Sequence, residues 1–252
     1  MSDPARYRPL ERFTERASDY AKFRPGYPAA AIDFILAGFS RREALVAADI
    51  GAGTGISSRL LADAGVRVIA VEPNDAMRSA ARRHTRVTFR AGTGEATGIA
   101  AGSVDLVTYF QAFHWVEPAA ALAEARRVLR SRGRFAAIWN DRQRSDPFTA
   151  AYGEIIERFA VNPEVVDRAS FAGPLEPRLR EVFPRVAVRE FPHTVRMDAS
   201  SLLGRARSSS YLPAGEGFAP VEAALMSLHD RHADHEGFVT FAYAATVYRA
   251  DR

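Results

Sequence analysis

Residues Leu45-Val46-Ala47-Ala48-Asp49-Ile50-Gly51-Ala52-Gly53-Thr54-Gly55 form a short apolar run that reaches an acidic residue and opens onto glycines at alternate positions. A strand that turns into a helix through Gly-x-Gly-x-Gly brings bare backbone close to a ligand, because glycine has no side chain and tolerates positive φ. The flanking segments continue the pattern. Ile56 to Ala64 predicts a helix closed by Gly65, Val66 to Glu72 a strand, Asp75 to Arg83 a helix and Val87 to Arg90 a third strand. Val104 to Tyr109 reads as the next strand, Pro118 to Leu129 as a helix ended by Gly133, and Arg134 to Trp139 as a fifth strand. Strands alternating with helices at this pitch predict an α/β fold whose parallel sheet is covered by helices on both faces.

Upstream, Phe13, Ala17, Tyr20 and Phe23 recur at helical spacing until Arg24-Pro25-Gly26-Tyr27-Pro28 stops the helix, and Ala29 to Phe39 reads as a second one. Downstream, Pro147 to Phe159, Ser200 to Arg207 and Pro220 to His229 read as helices, while Val186 to Val195 and Phe238 to Tyr248 read as extended. No Pro/Ser-rich linker or repeat divides the chain. The expectation is one domain over 1–252: a helical leader at 1–44, a ligand-binding core at 45–140, and an insertion or lid with the final strands at 141–252. Residues 141–235 are expected to lie over the active edge of the sheet.

The 252 residues are 47% hydrophobic and 25% charged, ordinary for a globular protein with a sizeable core. Cysteine is absent, which excludes disulfides, thiolate metal sites, iron–sulfur clusters and a cysteine nucleophile. Of the 34 basic residues Lys22 is the one lysine, and a net charge of +4 is too small to argue for a nucleic-acid partner. The residues after Met1 lack the apolar core of a signal peptide, and no stretch approaches the ~20 apolar residues of a membrane span. A cytoplasmic protein with no membrane partner is expected; oligomeric state is left open.

The ligand can be narrowed from two carboxylates. A dinucleotide turn runs Gly-x-Gly-x-x-Gly, but position 56 is isoleucine and Gly55 comes one residue early. Asp49, facing the crevice at the carboxyl end of its strand, repels a pyrophosphate and attracts an ammonium or sulfonium ion. Glu72 ends the next strand, where an acidic side chain accepts hydrogen bonds from ribose hydroxyls. A nucleoside with a cationic tail and no phosphate is implied, and S-adenosylmethionine (SAM) fits that description.

With that ligand in view, Asp49-Ile50-Gly51-Ala52-Gly53-Thr54-Gly55, then Val71-Glu72-Pro73-Asn74, Val104-Asp105-Leu106-Val107 and Arg127-Val128-Leu129-Arg130-Ser131-Arg132-Gly133 resemble the successive motifs of class I SAM-dependent methyltransferases. Tyr20 to Pro28 and Gln111-Ala112-Phe113-His114-Trp115 are similar to the small-molecule branch that includes the trans-aconitate methyltransferases. The resemblance implies a Rossmann-like, mostly parallel sheet of seven strands and SAM as cofactor. It also implies site residues. The backbone at Gly51, Gly53 and Thr54 passes under the methionine portion, and Asp49 faces its amino group directly or through water. Glu72, with Pro73 beside it, binds the ribose hydroxyls. Met77 packs on the adenine, which Thr93, Gly94 and Glu95 edge. Gln111 lies near the methionine tail, and Tyr20 and Arg24 close over the methionine carboxylate.

His114 follows a strand directly, at the edge where such folds do chemistry, so it is either a general base or part of the pocket wall. Trp115, Trp139 and Tyr211 are further substrate-pocket candidates. The run His229 to His235 has metal-capable residues, yet reads better as a charged helix end, and no metal is expected. The arginines at 82–90 and 126–134 read as solvated faces. The function expected is methyl transfer to a small molecule by in-line displacement. The alternatives are a nucleic-acid or protein methyltransferase, a non-catalytic SAM-binding regulator, and a nicotinamide-dependent oxidoreductase.

Overall fold

The computed structural model describes residues 22–161 and 175–252. Most of the expected leader helix, with Phe13, Ala17 and Tyr20, lies outside the described residues.

The core is a seven-stranded sheet. Its strands are β1 (Val46–Ile50), β2 (Arg67–Val71), β3 (Val87–Arg90), β4 (Val104–Phe110), β5 (Leu129–Arg142), β6 (Arg185–Met197) and β7 (Val239–Asp251). The order is β3-β2-β1-β4-β5-β7-β6. β1 to β5 are parallel, whereas β7 runs antiparallel to both β5 and β6. The central strands are apolar on both faces because both are covered, so β1 reads as a continuous run rather than an alternation. The order reverses beside β1, between β2 and β4. That switch point opens a crevice at the carboxyl ends of the strands, and the glycine turn lies there.

Helix α1 (Ala29–Leu36) and helix α2 (Ile56–Asp63) pack Ile35, Leu36 and Leu61 on one face of the sheet, against Ala47, Leu106 and Ile138. On the other face, after the short α3 (Asp75–Ser79), helices α4 (Pro118–Val128) and α6 (Leu175–Val182) cover Ile50, Tyr109 and Phe135. A third cluster joins α5 (Pro147–Phe159), α7 (Ala199–Arg207) and α8 (Ala219–His232) to the first residues of β7, through Tyr152, Leu202, Leu225, Phe241 and Tyr243. β7 is antiparallel, so its beginning lies at the carboxyl edge of the parallel strands and this helical cluster caps that edge.

Three readings are corrected. Residues 141–235 are not all insertion, since β6 within them is an integral edge strand of the sheet, hydrogen-bonded along its length to β7. Gly133 does not end a helix. α4 stops at Val128, the chain enters β5 at once, and the β4–β5 register slips between Val104 and Leu106. A Cβ at 133 would meet Leu129 Cδ2 at 2.8 Å and the Arg130 carbonyl at 3.0 Å, so glycine is what the bulge there admits. The helix expected at 75–83 is a single turn ending at Ser79.

Candidate functional site

Gly51, Gly53 and Gly55 have φ of +65°, +57° and +76°, a left-handed run that other residues enter only with strain. A Cβ on Gly51 would fall 2.6 Å from that of Ala112. Behind the turn, Asp49 is fully buried. Its Oδ2 accepts Ser57 Oγ at 2.7 Å and Ser58 Oγ at 2.6 Å, and its Oδ1 accepts Thr108 Oγ1 at 2.8 Å. Burial raises the carboxyl above its ordinary range, and the three hydroxyls oppose the rise. The carboxylate thus clamps the first turn of α2, where the helix dipole favours it, to β1 and β4. The expectation that Asp49 itself faces the crevice is corrected: Ser57, which donates to it, is the residue that lines the cleft.

Glu72 ends β2 almost fully buried. Its Oε2 accepts the Gly53 N–H at 2.9 Å and its Oε1 accepts the Asn74 N–H at 2.9 Å. Burial pushes this carboxyl up, against the pull of those N–H groups and Arg78. A carboxylate has about four acceptor positions, so each oxygen keeps one for a further donor. The glycine turn and the acidic strand end are therefore one hydrogen-bonded unit.

A cleft runs from this unit toward the cap, lined in part by Gly51, Ala52, Ser57, Gln111, Arg205 and Tyr243. Gln111 ends β4 with φ +53° and donates through Nε2 to the Asn140 carbonyl at 3.1 Å. Asn140 Nδ2 donates to the Gly26 carbonyl at 2.8 Å, pinning the leader across the end of β5. Arg24 also lines the cleft, donating to the Ser208 carbonyl beyond α7 at 3.2 Å. Gly204 makes that docking possible, because a Cβ there would lie 2.3 Å from the Phe23 ring.

The remaining candidates fall on either side. Toward β3, Met77 is buried on α3, whose turn is capped by Asn74, and Pro73 is half-buried beside Glu72. Thr93 Oγ1 accepts the Ala96 N–H, and Glu95 Oε1 accepts the Glu117 N–H ahead of α4. Gly94 is buried beneath Val116 and Tyr109. Thr54 is buried, with its hydroxyl unpartnered. Toward the cap, His114 Nδ1 accepts the Trp139 indole N–H at 3.2 Å. Trp139 is 1% exposed and packs edge-on against Tyr248, so it supports His114 from the core instead of lining a pocket. Trp115 is half-buried against the His114 ring, and Tyr211 is buried within the cap.

A family model described as a methyltransferase domain matches residues 48–137, the stretch from β1 into β5 that carries the turn, Glu72 and Gln111. Over that stretch the chain is similar to class I SAM-dependent methyltransferases. An uncharacterized methyltransferase of Mycobacterium tuberculosis is 39% identical over 147 residues, 58% of this chain and 59% of that relative. The chain thus spans about three-fifths of the curated relative it matches. Among solved structures, a protein assigned as a type II methyltransferase of Anaeromyxobacter dehalogenans aligns with a TM-score of 0.67 and 26% identity, covering 91% of this chain and 98% of that one. A methyltransferase assigned to an antibiotic biosynthesis pathway of Anabaena variabilis shares the fold, with a TM-score of 0.62 at 23% identity over 92% and 98%.

Several residues of the candidate site carry no local sequence signal. Ser57, Ser58 and Thr108 are ordinary helix and strand residues until the fold brings them to Asp49. Arg205, Tyr243 and Arg142 come from the cap and the strand ends beneath it. Asn140 had one usable signal, its place just past a buried strand at the active edge.

Proposed function

We propose that this methyltransferase domain holds SAM against the glycine turn and transfers its methyl group to a small-molecule acceptor in the cleft under the helical cap. The observation that carries the reading is the bond from Gly53 N–H to Glu72 Oε2, which fixes an acceptor-only carboxylate against bare backbone at the sheet's switch point. A vicinal diol suits the lone pairs that remain on Glu72, and Gly51 presents bare backbone to the cleft. SAM supplies a sulfonium methyl that is already activated for in-line displacement.

The chain's own residues then bind, orient and exclude water. Glu72 and the turn at 51–54 hold the nucleoside and methionine portions, with Met77 and the 93–95 loop flanking the base. Asp49 acts through Ser57 and the start of α2. Gln111 and Arg24 border the methionine end. Positive charge is lost as the methyl leaves sulfur, so walls of low polarity favour the transition state when the acceptor is neutral or anionic. Tyr27, Ile56 and Phe110 supply such walls. His114 is read as a wall residue. The Trp139 indole is a donor only, so His114 Nδ1 is an occupied acceptor, and the lone pair of the neutral ring is engaged.

A small acceptor is favoured because the cap closes over the cleft through α7 and β7. Incubation with methyl-labelled SAM and a panel of small carboxylic acids, amines and phenols tests this. Label transfer to at least one panel member is expected, with His114→Ala costing less than about tenfold in kcat, below the loss usual for a general base. Transfer to bulk protein or RNA but to no small molecule contradicts the reading.

A further inference from the structure

Helix α7 turns Arg205 inward among Leu202, Leu203 and Ala206, leaving it 6% exposed. Its Nη1 donates to Ser209 Oγ at 3.1 Å, and its Nε is buried without a partner. From the end of β5, Arg142 places its guanidinium 5.8 Å from the centre of the Tyr152 ring, with Nη1 also buried and unpartnered. The hydroxyls of Tyr152 and Tyr243 are likewise buried without partners. Among the described residues no carboxylate pairs with either arginine. Asp141, next to Arg142 on the strand, feels that arginine at a distance, yet burial and Glu190 outweigh it and raise the carboxyl to about 6. A buried guanidinium group, a half-buried one and two phenols thus share one region, and Arg205 and Tyr243 open from it into the cleft.

Buried charge without a counter-charge is unfavourable, and buried donors without acceptors add to that. The planar fork of arginine matches a carboxylate or a phosphate. Building on the methyltransferase reading above, we infer that Arg205 and Arg142, with Tyr152 and Tyr243, form an anion subsite that holds an acidic group of the methyl acceptor. The potential there is strong enough to act on a neighbouring phenol. Burial alone would raise Tyr211, but Arg142, Arg205 and Arg24 together bring it down to about 7. One phenolate leaves the arginines in excess, so the subsite still takes an anion at neutral pH.

The test is titration calorimetry on the full chain saturated with S-adenosylhomocysteine (SAH), using acetate, succinate, inorganic phosphate and the uncharged dimethyl succinate. Saturable binding of a carboxylate or of phosphate is expected, and which of them binds identifies the acid group; the diester is expected not to bind. Arg142→Gln, at a half-exposed position, is expected to weaken that anion at least tenfold while SAH affinity stays within about twofold. Arg205→Gln is expected to do the same, and Arg142→Gln decides the question if that more buried variant does not fold. Failure of every anion to bind the SAH complex overturns the inference, as does anion binding that both variants leave unchanged. A loss of SAH affinity matching the loss of anion affinity assigns the arginines to the cofactor and also overturns it. Failure of SAH itself to bind removes the methyltransferase reading instead, and anion titration of the free protein and its variants then still decides the subsite.

Discussion

Gly51 carries two constraints at once, a left-handed backbone and 2.6 Å of clearance between an added Cβ and Ala112. Gly51→Ala is expected to cost about 2–4 kcal/mol in urea unfolding, combining the strained conformation with overpacking. It should also weaken SAH at least tenfold, and adding Ala112→Gly should recover stability but not all of the affinity. Tyr211 sets the pH response of the cap. Its phenol is brought to about 7 in the fold, against an ordinary 10, by Arg142, Arg205 and Arg24 acting against burial, with Ser209 and Tyr152 also facing it. Between those values the unfolded chain binds the extra proton, so stability should rise with pH from about 7 toward 10 and be lost as pH falls through about 7. Tyr211→Phe should flatten that slope in thermal melts and remove a phenolate absorbance step near neutral pH. Glu72 and the glycines were legible from the sequence because a turn's chemistry is local, set by residue types a few positions apart. Asp49 was legible as a site residue, but its role was not, since its three partners arrive from α2 and β4. Arg205 and Arg142 were illegible for the same reason: nothing in an Arg-rich sequence distinguishes a guanidinium that tertiary packing will bury.

At the level of elements, α4 braces the loop that follows β3. Glu124 on α4 accepts both the Thr97 N–H at 3.0 Å and the Thr97 hydroxyl at 2.6 Å, and pairs with Arg127. The Arg127 guanidinium, ahead of the Thr97 bonds, holds the carboxyl down at about 2. This contribution is fully present above the ordinary glutamate range and disappears as pH falls from there toward 2. Glu124→Gln should therefore move acid unfolding to higher pH. Near neutral pH it should cost about 1–2 kcal/mol, since Arg127 is open to solvent and screened. SAH affinity should fall modestly if the 93–95 loop flanks the base. The arginines at 126–134 are not a free basic face, for Arg127, Arg130 and Arg134 pair with Glu124, Asp105 and Asp251. From residue 29 to 128 the strands and helices followed from period and punctuation almost to their ends, apart from the helix expected at 75–83, which stops at Ser79. β5 did not, because its bulge at 130–133 inserts polar residues where alternation breaks, and Gly133 there has the look of a helix stop.

Across the whole molecule, the parallel half of the sheet builds the switch-point crevice, and β6 returns the chain to the same edge, where α7 and α8 build the cap before the antiparallel β7 leaves it. β6 was readable as extended, but its place in the sheet was not. Its register with β7 is a pairing between strands separated by two helices. Among the described residues no helix is long and apolar enough to cross a membrane. What joins the two halves is the cleft, floored by Gly51 and Ala52 of the glycine turn, which Glu72 holds through Gly53, and closed by Arg24, Arg205 and Tyr243. The floor makes the central claim about ligand, and that claim is accessible to one experiment. Titration calorimetry of the full chain with SAM, SAH and NADH in parallel, repeated on Glu72→Ala, should give saturable binding of the first two by the wild type, none of NADH, and at least a tenfold loss in the variant. Binding of NADH alone, or SAM affinity that Glu72→Ala leaves unchanged, contradicts the assignment of this floor to SAM.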